Sequence, residues 1–297
     1  MLDRGTKSLN RQQLKDEFDR LKARVNVFGS GGIVNVSVQT TKDNLPSVMK
    51  IVADMLKNPA FSEKEFEELR NEQLAGTEEQ KSDPQALASN ALSRHLNPYP
   101  KGDIRYVMTP EEEIEAIKAL KLEELKKFHT DFYGANNSTM AVVGDFDEST
   151  IKTQVNKDFG KWNSKKPFAR IEDKYIEVPK TELNIETPDK ANAIFLAGCN
   201  LQIKDSDPEY AAMVMGNYIL GGGFLNSRLA TRIRQKEGIS YGVGSMFSAD
   251  ALDKSGNFTV YAIYAPENRD KLEKAFKEEI GKMLNEGFTA KELEDAK

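Results

Sequence analysis

Apolar residues first recur at helical spacing in Leu14, Phe18 and Leu21, behind Ser8, whose hydroxyl suits a helix start. The spacing predicts a helix from Ser8 to about Leu21. The period then changes to two: Val25 and Val27 are followed by Gly29-Ser30-Gly31-Gly32 and by Val34, Val36 and Val38, the signature of a hairpin. A second helix carries Leu45, Val48, Val52, Met55 and Leu56 and stops at Asn58-Pro59, because proline disfavours helical geometry in the residue before it. Ser62 with Glu65 reads as a capping box opening a charged helix through about Lys81. Asp83-Pro84 and Thr109-Pro110-Glu111-Glu112 each begin a further helix with proline at its first position. A strand around Met140–Val143 and a helix after Asp147 complete this half.

From Trp162 to Lys180 the periodicity lapses and lysines and two prolines accumulate, which sets the expected division: a first domain over 1–165, a linker over 166–180 and a second domain over 181–297. Strands are expected at Leu183–Ile185 and Ala193–Cys199, then a helix from Tyr210 to Leu220. After Gly221-Gly222-Gly223 another helix runs to Gly238, a natural stop, and strands follow at Tyr241–Phe247 and Phe258–Tyr264.

A diverged repeat underlies this order. Phe61-Ser62-Glu63-Lys64-Glu65-Phe66-Glu67 returns as Phe288-Thr289-Ala290-Lys291-Glu292-Leu293-Glu294, and Leu9-Asn10-Arg11 returns within Leu225-Asn226-Ser227-Arg228. Each pair brackets helix, two strands, helix and capping box, so the fold class expected is α+β in two copies of one unit. The first copy continues past its capping box whereas the second stops at Lys297. The second begins with strands and a helix that nothing before Met1 matches. Both units are expected to be incomplete, and the chain an internal fragment of a longer protein.

Composition narrows the function. The chain has 297 residues, 39% apolar and 30% charged, with a net charge of -5 and interspersed signs, a globular pattern without the basic stripe of a nucleic-acid binder. No apolar run is long enough for a membrane span. Cys199 is the only cysteine and its apolar neighbours predict a buried strand residue. The only histidines, His95 and His129, have no Glu-His partner at ligand spacing, so surface or packing roles are expected of them. The glutamates between Glu65 and Glu79 read as a solvated helix face, and no metal site is assigned.

The remaining chemistry lies in Arg234-Gln235-Lys236-Glu237-Gly238-Ile239-Ser240-Tyr241, preceded by Gly221-Gly222-Gly223-Phe224-Leu225-Asn226-Ser227-Arg228. The glycine run follows a helix and lacks the lysine of a phosphate loop, so it reads as a turn. These words, with Tyr99-Pro100-Lys101-Gly102-Asp103-Ile104-Arg105-Tyr106 and Val143-Gly144-Asp145-Phe146-Asp147, resemble the insulinase/pitrilysin and mitochondrial-processing-peptidase superfamily of zinc metallopeptidases over essentially the whole chain. The resemblance implies a LuxS/processing-peptidase-like metallohydrolase fold, each unit an antiparallel sheet with helices packed on one side. It further implies that the family's His-x-x-Glu-His zinc motif would lie just before Met1-Leu2-Asp3-Arg4-Gly5-Thr6 in a catalytic unit, and that this chain is instead the zinc-less half.

On that resemblance Arg234 and Tyr241 are the substrate-binding residues, there are no catalytic or metal-binding residues in the chain, and zinc belongs to a catalytic half elsewhere. The implied partners are that catalytic half or subunit and a peptide substrate, without nucleic acid or a membrane span, and the family leans toward the bacterial periplasm or cell envelope. Guanidinium and phenol both donate hydrogen bonds to peptide carbonyls or to a developing oxyanion. Two alternatives stand beside this reading: a packing role, with Arg234 at a helix C-terminus and Tyr241 on a strand's core face, and a catalytically dead scaffold subunit of the same fold.

Overall fold

The computed structural model describes residues 1–30 and 32–297; Gly31, in the expected turn at 29–32, lies outside them. Helices and antiparallel sheets alternate along the chain, so the fold is α+β. Packing groups residues 1–75 with 115–171, and 76–114 with 172–297. The boundary expected at 166–180 follows from the sequence pattern, whereas packing takes residues 76–114 together with 172–297.

In the first unit α1 (Arg11–Arg20) leads into a two-stranded sheet, β1 (Arg24–Ser30) and β2 (Ile33–Gln39), paired antiparallel from Arg24 opposite Gln39 to Ser30 opposite Ile33. Helix α1 starts later than Ser8 because Asn10 and Gln13 close a reciprocal capping box, while the Ser8 hydroxyl donates to Asp54 at 2.6 Å. Helix α2 (Leu45–Lys57) buries Val48, Val52 and Leu56 against Leu21 and Ala23, with Phe18, Val25 and Trp162 packed around them. Burying each such side chain is worth about 1.5–3 kcal/mol. Helices α3 (Glu63–Gln80), α4 (Pro84–Leu96), α5 (Pro110–Ala119), α6 (Leu122–Phe132) and α7 (Glu148–Phe159) follow along the chain, α4 belonging to the second unit. Residues 140–143 form no strand: Val143 is 98% exposed, and with no neighbour to share a ladder β-branched composition alone makes no strand. The same holds at 183–185, where Leu183 and Ile185 are exposed.

The second unit is built on β3 (Ala193–Leu201), β4 (Ser240–Ala249) and β5 (Gly256–Tyr264) in the order β3-β5-β4, both pairings antiparallel. Alternation sends Val243 of β4 and Val260, Ala262 and Tyr264 of β5 into one core with Leu220, Leu229, Ile233 and Leu272. Leu272 belongs to α9 (Arg269–Glu286), whose Phe276 meets Phe195 edge to face at 5.0 Å. Helix α4 reaches β3 through Leu92, which approaches Gly198, and Leu96, whose carbonyl accepts from the Asn200 amide at 2.8 Å. Cys199 lies on β3 as expected but is exposed, near the strand's end opposite Phe258.

The helix expected over Tyr210–Leu220 changes pitch. α8 (Tyr210–Asn217) gives way at Tyr218–Gly222 to a π-helical turn, in which Gly223 N–H donates to Tyr218 O at 2.7 Å. The glycines are there for close approach and not for a phosphate. A Cβ on Gly221 would stand 2.4 Å from Ser245 Oγ and 2.5 Å from its backbone nitrogen, so only glycine lets this turn lie on β4. The helix after the run is likewise π-helical over Ala230–Lys236. The chain closes with α10 (Ala290–Ala296), whose Thr289 and Glu292 form a full capping box. No helix among the described residues is long and apolar enough to cross a membrane.

Candidate functional site

The segment carrying Arg234 and Tyr241 is fixed at both ends by its sequence. Ser227 caps the helical start, accepting from Ala230 N–H at 3.3 Å, and Leu229, Ala230 and Ile233 anchor one face in the core. At the other end Glu237 N–H donates to Arg232 O at 3.2 Å, five residues back, and Gly238 turns the chain with φ of +66°, a conformation glycine adopts without a Cβ penalty. Ile239 is buried beyond the turn and β4 begins. Arg234 emerges on the exposed side of this π-helical stretch with no hydrogen bond or ion pair among the described residues. Gln235, next to it, donates to Leu225 O at 2.7 Å and ties the stretch to the turn after the glycine run.

Tyr241 owes its orientation to a β-bulge. Ser240 pairs with Tyr264 and Gly242 with Ile263, so Tyr241 is an extra residue with no opposite number on β5. Strict alternation from the buried Val243 and Ser245 would turn Tyr241 inward as well. The inserted residue breaks that phase, and the phenol is 66% exposed. Ser240 itself is buried, its hydroxyl 2.8 Å from both the Gly242 and the Ile263 carbonyls. The phenol's exposure does not fit the core-face alternative for Tyr241, whereas Arg234 does stand in the last turn of its helical stretch, as the C-terminal alternative has it.

The repeat supplies an internal control. In the first copy Lys22, with φ of +49°, ends the helix as Gly238 does in the second. Counting from these two residues, Phe18 stands where Arg234 does and Val25 where Tyr241 does. Both first-copy residues pack against a core, and β1 pairs with β2 without a bulge. The two copies thus share a scaffold, and only the second turns an arginine and a tyrosine outward.

A shared ionic clamp makes the correspondence atomic. Arg11 and Arg228 each stand one residue after the helix-capping side chain, and each reaches the glutamate of its copy's Ser/Thr-x-x-Glu sequence. Arg11 lies 3.4 Å from Glu65, while Arg228 makes two contacts with Glu292, at 2.5 and 2.7 Å, and stacks over the Phe288 ring at 4.7 Å. Glu65 is not the solvated carboxylate expected: it is 15% exposed and also faces the buried Arg4 at 3.5 Å, whose other arm holds Glu72.

The Arg228 hydrogen bond, assisted by the Thr289 backbone and hydroxyl against the cost of burial, holds the Glu292 carboxyl at about 2 instead of 4.5. A depressed folded-state pKa stabilises the fold fully above 4.5, and that contribution is lost as pH falls through about 2. Glu292→Gln is expected to lower the melting temperature at neutral pH and to flatten its fall between those two values, as a thermal melt series in pH would show.

The side chains present do not fit a zinc site. The His95 Nε2 hydrogen donates to Pro179 O at 2.8 Å and that of His129 to Leu56 O at 2.7 Å, which removes those nitrogens as ligands. Glu65 and Glu72 are taken by arginines, and the described residues contain no cluster of three or more His, Cys, Asp or Glu side chains.

Residues 119–297 match the family model described as Peptidase M16 inactive domain, and residues 1–102 match that of Insulinase (Peptidase family M16). The chain is 23% identical over its full length to the "Uncharacterized zinc protease YmxG" of Bacillus subtilis, covering 70% of it. It is 25% identical, again over its full length, to the "Non-peptidase homolog YmxG" of Helicobacter pylori, covering 67%. Among solved structures, a peptidase M16 inactive domain from Pseudomonas fluorescens superposes with a TM-score of 0.88 at 28% identity, over all of this chain and 70% of that one.

Proposed function

The chain belongs to peptidase family M16, and from that premise we propose that it is a non-catalytic, substrate-binding half of a zinc metalloendopeptidase, closing a peptide chamber around a catalytic half located elsewhere. The observation that carries this reading is the pair Arg234 and Tyr241, turned to solvent by a π-helical turn and a β-bulge where the first copy keeps Phe18 and Val25 packed against its core. Exposing a free guanidinium at 234 and a phenol at 241 contributes nothing to the core. It provides two kinds of hydrogen-bond donor for a peptide carbonyl and for an oxyanion developing on it.

In this assignment Arg234 and Tyr241 bind and orient, and the domain excludes water from the closed chamber. A specific observation favours a second reading. The Helicobacter pylori relative is named a non-peptidase homologue, so a scaffold subunit without proteolysis is the alternative. The two separate in one assay. This chain alone is expected to leave dye-labelled casein intact, and the chain mixed with a zinc-binding M16 subunit from its own organism to cleave it in a chelator-sensitive way. Chelator-sensitive cleavage by the chain alone overturns the assignment, and a stable, inactive complex with such a subunit supports the scaffold.

A further inference from the structure

We propose that Ser240 is the positioning residue for Tyr241, its buried hydroxyl spanning the gap that the β-bulge opens in the ladder and thereby holding the phenol outward. The assignment of a binding role to Tyr241 rests on the reading above; the positioning itself rests on geometry. A bulge leaves one residue of a strand unpaired and interrupts the ladder beside it. At this bulge the interruption falls between Ser240 opposite Tyr264 and Gly242 opposite Ile263. The Ser240 hydroxyl sits in that interruption, 2.8 Å from Ile263 O on β5 and 2.8 Å from Gly242 O on its own strand, and its one hydrogen is shared between them.

The site is 8% exposed at Ser240, so water is a poor substitute for that donor. A carbonyl left without a partner there favours the rival register, in which β4 closes up, alternation resumes and Tyr241 turns toward the core side with Val243. The first copy shows what an entry without such a hydroxyl does: Arg24 opens the ladder, the pairing is regular and Val25 packs inward.

Nitration by tetranitromethane reads the phenol's exposure directly, because trypsin releases residues 237–254 as a peptide whose single tyrosine is Tyr241. In the folded chain Ser240→Ala should lower nitration of Tyr241 by about threefold or more relative to Tyr218, since a one-residue register change reverses which face a side chain occupies. Ser240→Thr, which keeps the hydroxyl, should nitrate like the parent. Undiminished nitration in folded Ser240→Ala overturns the proposal. If that variant does not fold, Ser240→Cys carries the same test, with similar size and only a weak donor.

A double-mutant cycle on binding of a dye-labelled, unstructured casein peptide supplies the second readout. Ser240→Ala should weaken binding severalfold, and add nothing once Tyr241→Phe is present. Losses that simply add would overturn the claim that Ser240 acts through Tyr241. Nitration that falls as expected while Tyr241→Phe leaves binding unchanged would keep the positioning role and remove the binding role assigned to Tyr241.

Discussion

Arg234→Ala, in the complex with a zinc-bearing catalytic half, should lower kcat by about 10²–10³-fold, the usual cost of removing one donor from a developing oxyanion. The melting temperature and the zinc content of the complex should not move. Arg234 is exposed and without a partner among the described residues, so the folded chain loses no contact with it. Steady-state kinetics with a quenched peptide substrate checks this. A loss confined to kcat places the guanidinium on the transition state, whereas a rise in KM at constant kcat makes it a ground-state contact. A matching loss of thermal stability would return Arg234 to a packing role.

Leu229→Ala should have the largest effect on the fold, about 2–5 kcal/mol, the range for emptying a fully buried leucine site. Leu229 is 0% exposed and sits in the core with Leu220, Ile233 and Leu272. The π-helical stretch it anchors shares that core through Ala230 and Ile233, and its side-chain ties among the described residues run from Arg232 to Glu278 at 2.7 Å, to Glu237 and to Glu279, and from Gln235 to Leu225. A urea titration should show the midpoint fall with the slope unchanged, since the surface exposed on unfolding is nearly the same. A loss below about 1 kcal/mol would mean that the neighbours close over the cavity, which the dense packing around Val260 and Ala262 argues against.

Much of this architecture was written in the sequence because local rules fix it. Gly238 ends its helix in a left-handed conformation, Asn58-Pro59 stops α2, and Thr289 with Glu292 closes a capping box. The alternation over Val25–Val38 became the β1/β2 hairpin. Failures came where an element depends on something distant. Met140–Val143 has strand composition and no neighbour to pair with, and the move of the first helix start from Ser8 to Asn10 reflects the competing bond from Ser8 to Asp54.

At the candidate site the residue types and their spacing around a glycine were legible, and their exposure was not. A period-two reading puts Tyr241 on the face of Val243 and Ser245, because an inserted residue is invisible until the pairing with β5 is known. The π-helical pitch is similarly hidden, since one added residue in a turn alters no composition. Both irregularities fall on the stretch that carries the site, as is common where local regularity yields to chemistry. Ser240, between a buried isoleucine and an exposed tyrosine, gave no signal of its own in the chain.

The contrast between the two strand entries also bears on how such a surface arises. Beyond the left-handed residue, β1 and β4 start alike, and β4 is longer by a single residue before its pairing resumes. A bulge at the mouth of a strand turns one side chain outward and leaves the core beneath it in place. The same economy offers a route to grafting: the short word from Gly238 to Gly242 is a portable module for installing a displayed side chain at the entrance of an otherwise regular sheet.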